Sequence, residues 1–296
     1  MMLSLEHLAG LLENHRDAAA AKVREFSIGG QHLAFNSAPE IMGVINLSPD
    51  SWYRESVCLT VDRAIERGKV LRAQGAKIID VGAESSLSHA ALLDARAQTD
   101  RLLPVVRELA AAGILVSVET YRTEVARACL ESGATVINLT GTQDAPDIFR
   151  LAGEHKAAVI VCYVQGPNVR QVGDFDFSGD VIGAMHESFS RMTEMAAREG
   201  AEKILLDPGL GFYYRNLQDS ATRVRHQMTT FLNSFRLRTI GFPICQALPH
   251  AFEYFGQEVR CAEPFFAVLA ALGKTDLFRT HEVARVRPVL ETLRVF

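Results

Sequence analysis

The sequence predicts an α/β fold: a closed (β/α)8 TIM barrel with an N-terminal helix and hairpin extension. Three observations predict it. A short apolar strand that ends in a polar or charged residue, followed by an amphipathic helix, recurs eight times, with strand ends at Asn46, Asp80, Glu119, Asn138, Tyr163, Asp207, Gln246 and Arg279. The chain has 296 residues and is 48% hydrophobic, whereas a barrel of this kind takes about 250 residues. No GxGxxG follows the first strand, and the even spacing disfavours an open doubly wound sheet, the nearest competitor. Active sites of such barrels lie at the C-terminal strand ends, so the repeat also says where chemistry is expected.

Taken in order, residues 5–24 read as a helix and 26–35 as a hairpin turning at Gly29-Gly30. This extension, residues 1–39, precedes or plugs the barrel of residues 40–296. The first strand is 40–46, and apolar residues at 61, 64, 65, 68 and 71 give the first helix its period. The second strand, 77–81, is a continuous apolar run, as a strand covered on both faces requires. A helix over 95–112 contains Pro104, which is expected to bend or interrupt it. The third strand is 115–119, and its helix runs to Glu131 and stops at Gly133, a fitting left-handed cap. The fourth strand is 135–138 with a helix over 147–155, and the fifth is 157–162. A long polar loop over 164–180 leads to a helix ending at Gly200. Strand six is 203–206 with a helix over 219–235, and strand seven is expected over 238–242 with a helix over 262–272. Strand eight is 276–279, and a last helix closes the chain near Val295.

Net charge is −4 and the isoelectric point near 6.2, which implies no broad basic field for nucleic acid. No apolar run approaches the length of about 18 residues that spans a bilayer, and no signal-peptide pattern opens the chain, so no membrane partner is expected. Five scattered cysteines without CxxC spacing suit a reduced, cytoplasmic setting.

Several strand ends carry chemistry-bearing groups. Asn46 offers an amide oxygen to a metal and an NH2 to an anion, although Ser48-Pro49-Asp50 behind it also makes an ordinary turn. Glu119 and Asn138 end adjacent strands. Asp207 ends strand six ahead of Pro208-Gly209-Leu210-Gly211-Phe212, and its carboxylate can bind the paired donors of a guanine or pterin edge. Arg279 and His281 close the barrel where such folds often bind phosphate, the arginine as a forked donor and the histidine as a second one. No cluster of His and Cys with metal-ligand spacing is read, and the other histidines fit surface or core roles.

These segments resemble the dihydropteroate synthase family of pterin-binding barrels. The resemblance covers about 40–296 and rests on four motifs in order: Met42-Gly43-Val44-Ile45-Asn46-Leu47-Ser48-Pro49-Asp50-Ser51, Ile78-Ile79-Asp80-Val81-Gly82-Ala83-Glu84-Ser85, Asp207-Pro208-Gly209-Leu210-Gly211-Phe212, and Arg279-Thr280-His281-Glu282-Val283. It implies a transferase that joins 6-hydroxymethyl-7,8-dihydropterin pyrophosphate to 4-aminobenzoate and releases pyrophosphate, with Mg2+ as cofactor, and a homodimer. By the same resemblance Asp207, Asn138, Glu119 and Asp80 face the pterin, and Phe212, Cys162 and Cys245 line its pocket. Asn46 holds Mg2+, Arg279 and His281 bind pyrophosphate, and Asp50, Arg279 and His281 are the catalytic set. The loops around Asp50 and Ser85 close over the aminobenzoate. Several positions depart from the family: Cys245 replaces a lysine, Leu87 an arginine, Tyr163 a histidine, and Leu139 and Glu119 each an aspartate. Two lost cations leave two alternatives open, a pterin-binding paralogue without synthase activity and a pterin-dependent methyltransferase.

Overall fold

The computed structural model describes residues 2–295 except 52, 54, 55, 86–89 and 213. Two short helices, α1 (Leu5–Asn14) and α2 (Arg16–Ala20), open the chain. The single helix expected over 5–24 is therefore divided and shortened. The backbone breaks at His15 (φ −139°, ψ 39°). Beyond α2 the chain is extended because it is stitched to a distant turn: Arg238 Nε donates to the Ala21 carbonyl at 3.2 Å and the Arg24 N–H to that of Gly241 at 2.9 Å. Strands β1 (Phe26–Ile28) and β2 (Gln31–Leu33) form the expected hairpin. Gly29 at its turn has φ +53°, and a Cβ there would stand 2.6 Å from Leu115 Cδ2, so the turn seats directly on the barrel floor and only glycine fits.

The barrel strands are β3 (Glu40–Asn46), β4 (Ile78–Gly82), β5 (Leu115–Thr120), β6 (Val136–Leu139), β7 (Ala158–Cys162), β8 (Lys203–Asp207), β9 (Cys245–Ala247) and β10 (Leu277–Thr280). They pair in parallel in the order β8-β7-β6-β5-β4-β3-β10-β9. The ring closes where the Leu206 N–H donates to the Pro243 carbonyl at 2.9 Å, beside a parallel bridge between Leu206 and Ile244. Helices α3 (Val61–Ala73), α4 (Ala95–Ala111), α5 (Thr123–Glu131), α6 (Ala145–Glu154), α7 (Val181–Arg198), α8 (Ser220–Asn233), α9 (Phe252–Phe255), α10 (Ala262–Leu272) and α11 (Val283–Leu293) alternate with them. Their starts follow local chemistry: Thr60, Asp94, Asp180 and Asp219 each cap a helix by accepting an N–H from its first turn.

Alternation along each strand divides the core. Met42, Ile78, Leu115, Val136, Ile160, Leu205, Cys245 and Leu277, one from each strand, fill the lumen and meet Ile28 and Leu33 of the hairpin. Residues of opposite parity, such as Ile45, Ile79, Val81, Val116 and Val118, pack outward against the helices. The hairpin thus plugs the N-terminal end and leaves the C-terminal end open.

Two expectations need correction. Strand seven is not 238–242. Residues Ser234–Ile240 form a 3-10 helix that ends at Gly241 (φ +93°), and the strand is Cys245–Ala247. Arg238 decides this, because its guanidinium is buried in an ion pair with Asp276 and also donates to Asn36 Oδ1 at 3.1 Å. In a strand it could not reach all of these. Of the bend or interruption expected at Pro104, the interruption does not occur: α4 runs through it to Ala111. The carbonyl that loses its donor to the proline belongs to Asp100, which is exposed and can turn to water.

Candidate active site

The rim of the barrel is built in register. Asn46 pairs with Gly82, Gly82 with Glu119, and Glu119 with Asn138, while Cys162 pairs with Asp207. Asn46, Glu119, Asn138, Cys162, Asp207, Phe212, Arg279 and His281 accordingly line one cavity, with Tyr53, Glu84 and His250. Asp80 and Cys245 are not among its lining residues; both are wholly buried beneath it. Asp80 lies two residues before the rim position Gly82, about 6–7 Å lower along the strand. Gly82 adds no side chain above that carboxylate, which is covered instead by Arg279 and Asn138. Asp50 also lies off the cavity, where its Oδ2 accepts the Ala91 N–H at 3.4 Å. Leu87 lies outside the described residues, as does Arg54.

Beneath the cavity lies a network around one arginine. Arg279 Nε donates to Asp80 Oδ2 at 2.7 Å and its Nη2 to Glu119 Oε2 at 2.6 Å. Ser117 donates its hydroxyl to Asp80 Oδ1 at 2.6 Å, and Asn138 Nδ2 donates to Asp80 Oδ2 at 3.1 Å. The Cys162 thiol in turn donates to Asn138 Oδ1 at 3.3 Å. Both oxygens of Asp80 are thus engaged, whereas Arg279 Nη1 has no partner among the described residues. Burial pushes the Glu119 carboxyl up to about 7; Arg279 pulls it down, and the carboxylates of Asp80, Asp207 and Glu84 add to the rise. Burial likewise raises Asp207 to about 6, against the opposing pull of the Gly209 N–H and Arg279.

Asp207 Oδ1 accepts the Gly209 N–H at 2.8 Å, and its Oδ2 has no donor among the described residues. Gly209 is required there: its φ is +77°, and a Cβ would stand 2.2 Å from the Tyr163 carbonyl. Phe212 Cδ2 and Cε2 lie 3.1 Å from that same Cβ position, so the ring packs over the glycine turn at the cavity wall. Cys245 and Cys162 remain neutral thiols, since burial raises both well above the usual range.

At the opposite wall His281 Nδ1 lies 2.7 Å from Glu263 Oε1. Tyr53 stacks on His250 with centroids 4.6 Å apart and tilts against His281 at 4.9 Å. Its hydroxyl donates to Glu282, which also takes Arg260 Nε at 2.5 Å. Burial pushes His250 down to about 4. Burial also pushes Glu263 up, but His281, His250 and the Thr280 hydroxyl outweigh it and hold the carboxyl below its ordinary range. His250, Glu263 and His281 bring their donor atoms within 4.8 Å of one another. The sequence reading missed this cluster because gaps of 13 and 18 residues are no recognised ligand spacing.

Asn46, which lines the cavity, donates Nδ2 to Ser56 Oγ at 2.7 Å, and its Oδ1 takes no hydrogen bond among the described residues. A Cβ on Gly82 would stand 3.7 Å from Asn46 Oδ1 and 3.7 Å from Glu119 Oε2, so the missing side chain leaves room between two oxygens. A hard oxygen donor beside open space fits Mg2+, which takes few protein ligands and completes its shell with water and phosphate. Arg170, on the loop after β7, donates to the carbonyls of Ser85 at 2.8 Å and Ala90 at 2.7 Å and so clamps the loop after β4. No described helix is long and apolar enough to cross a membrane.

Comparisons with known proteins agree with this geometry. A family described as "Pterin binding enzyme" matches residues 42–244. The dihydropteroate synthase of Streptococcus pyogenes serotype M6 is 32% identical over 285 residues, covering 92% of this chain and 98% of the relative. That of Synechocystis sp. is 30% identical over 256 residues, covering 82% and 85%. Among solved structures, Xanthomonas albilineans dihydropteroate synthase with 4-aminobenzoic acid superposes with a TM-score of 0.77 at 25% identity, covering 93% of this chain and 98% of that one. The Thermus thermophilus enzyme in complex with 6HMPPP shares the fold, with a TM-score of 0.72 at 24% identity, covering 92% and 100%.

Proposed function

Since this chain belongs to the pterin-binding enzyme family, as a relative of the dihydropteroate synthases, we propose that it condenses 6-hydroxymethyl-7,8-dihydropterin pyrophosphate with 4-aminobenzoate. One observation carries the reading: Asp207 and Asn138 share a cavity with Arg279 and His281. The first pair offers complementary acceptors and a donor to a pterin edge. The second pair offers donors to an anion. A substrate with a pterin at one end and a diphosphate at the other spans both.

In this reading Asp207 Oδ2 accepts from the pterin's N–H groups, and Asn138 contributes the hydrogen of Nδ2 that Asp80 does not take. Glu119, Cys162 and Phe212 border the ring. Asp80 acts from below, by orienting Asn138 and Arg279, and Cys245 packs the floor. Arg279 reaches the diphosphate through its unpartnered Nη1, with His281 beside it. The amine nitrogen of 4-aminobenzoate attacks the pterin's exocyclic carbon, the carbon–oxygen bond breaks, pyrophosphate leaves and the amine loses a proton. Asp50 and Ser85, joined by a 3.3 Å bond from the Ser85 hydroxyl to the Asp50 carbonyl, sit on the two loops that close over the aminobenzoate. Asn46 would hold Mg2+, whose charge would offset that of the departing pyrophosphate. A homodimer belongs to the same reading, supported by exposed Phe265, Leu272 and Leu293 on α10 and α11.

The test is a pyrophosphate-release assay with the pterin pyrophosphate, 4-aminobenzoate and Mg2+. Release dependent on both organic substrates is expected. Tight pterin binding by calorimetry without release would favour the non-catalytic pterin binder instead. Turnover is expected below about 1 s⁻¹, the low end for enzymes, because Cys245 leaves the floor without the family's lysine. One charge-assisted hydrogen bond to the transition state is worth about 1.5–3 kcal/mol.

Pterin affinity is also expected to depend on pH. Asp207, raised to about 6 by burial, must be ionised to accept from the pterin. As pH falls below about 6 it takes up a proton and loses that acceptor. Affinity should then drop roughly tenfold for each further pH unit. Calorimetry between pH 5 and pH 8 reads this directly, and a flat profile would show that Asp207 does not meet the ligand.

A further inference from the structure

The wholly buried carboxylate of Glu263, on α10, meets two imidazoles from two other segments: His250, between β9 and α9, and His281, directly after β10. Its Oε2 is fully engaged. It accepts from the Thr280 hydroxyl, from the His281 N–H at 3.0 Å and from the Glu282 N–H at 3.1 Å. Those contacts fix the carboxylate plane and aim Oε1 at the rings. Oε1 lies 2.7 Å from His281 Nδ1 and 3.5 Å from His250 Nδ1. No arginine or lysine pairs with this buried charge among the described residues.

His250 Nδ1 is the anomaly. It is buried and makes no hydrogen bond among the described residues. If it carries its lone pair, that lone pair faces a carboxylate. If it carries a hydrogen, 3.5 Å is beyond the usual N–H···O range of about 2.7–3.2 Å. A cation among the three groups removes the conflict in either case. The three donor atoms lie within 4.8 Å of one another, with Oε1 2.7 Å and 3.5 Å from the two Nδ1 atoms, and small shifts of the rings bring them to the separation of about 3.3 Å that ligands of a tetrahedral ion with bonds of about 2.0–2.1 Å require.

We propose that His250, Glu263 and His281 form a divalent metal site of zinc-like preference. Two imidazoles and one carboxylate suit a borderline ion rather than Mg2+ or Ca2+, which prefer oxygen. The site is separate from the oxygen ligand at Asn46. Thr280 and the Glu282 N–H orient the carboxylate as outer partners do in metal centres. His250 and His281 line the cavity whereas Glu263 does not, so the remaining coordination position faces the ligand space. A cation there supplies positive charge on the side of the cavity that holds Arg279. Its use against a diphosphate rests on the function proposed above; the site itself does not.

The test uses the full, untagged chain with metal alone. Titration with Zn2+ by calorimetry, and with Co2+ by visible absorption, is expected to show one equivalent bound with a low-symmetry, intense cobalt spectrum. His250→Ala is expected to weaken binding more than about 100-fold, beyond the loss typical of an outer partner, while circular dichroism shows an unchanged fold. Glu263→Gln serves as a second variant, with the same loss expected. Failure of the wild-type protein to bind either ion overturns the proposal, as does binding that His250→Ala leaves unaltered. No pterin or aminobenzoate enters this titration, so its failure and that of the synthase assay are distinguishable.

Discussion

Arg279→Ala is expected to cost both stability and activity, more than any other single change at the site. The guanidinium donates to Asp80 at 2.7 Å and to Glu119 at 2.6 Å, and burial of Asp80 is complete. Removing the arginine leaves buried negative charge without a cation, which typically costs about 3–5 kcal/mol. Glu119 can relieve part of this by taking up a proton, since burial already holds it at about 7. Asp80 keeps the Ser117 hydroxyl and the Asn138 amide as donors but loses the guanidinium that faced it. A chain of this size should melt roughly 10 °C lower. Turnover should also fall by a factor of about 10–100 or more, the equivalent of one charge-assisted hydrogen bond to the leaving diphosphate. Thermal melts and pyrophosphate release on the same preparation measure both effects. A melting point within about 2 °C of wild type would show that the carboxylates do not depend on Arg279.

Asp207→Ala is expected to do the reverse: little to stability and nearly everything to pterin binding. The Asp207 carboxylate is buried and raised to about 6, so the fold gains nothing from its charge at neutral pH. Its protein contact is a single hydrogen bond from the Gly209 N–H, 2.8 Å long. Losing that bond costs about 1 kcal/mol, and removing a desolvated charge offsets it. Two charge-assisted hydrogen bonds to a pterin edge would be worth about 3–6 kcal/mol together, so affinity should fall more than 100-fold. Calorimetry with a free pterin measures binding apart from turnover. An affinity within a factor of two of wild type would remove Asp207 as the anchor.

The sequence by itself determined the frame of this molecule. Short apolar strands with polar ends and period-3.6 helices are local properties, and they placed β3 at Glu40–Asn46 and α3 from Val61 without error at either start. The rim motifs were equally legible, because a residue at the C-terminal end of a parallel barrel strand has only the open end of the barrel to face.

Only the tertiary structure decided which of those residues stand at the cavity. Asp80 and Glu119 read alike in the sequence, yet the β4–β5 register pairs Gly82, not Asp80, with Glu119 and leaves Asp80 one layer down. Strand seven was misread because Arg238 is committed to Asp276, 38 residues away, and no local pattern signals a buried ion pair. The cluster of His250, Glu263 and His281 escaped notice for the same reason. Its three members lie on separate segments, and they meet because Glu263 on α10 accepts the N–H groups that follow β10 and lies beside His250, after β9. Periodicity along the chain fixes what each segment becomes. Which side chains share a charge is fixed by register and packing between segments, and those exist only once the barrel has closed.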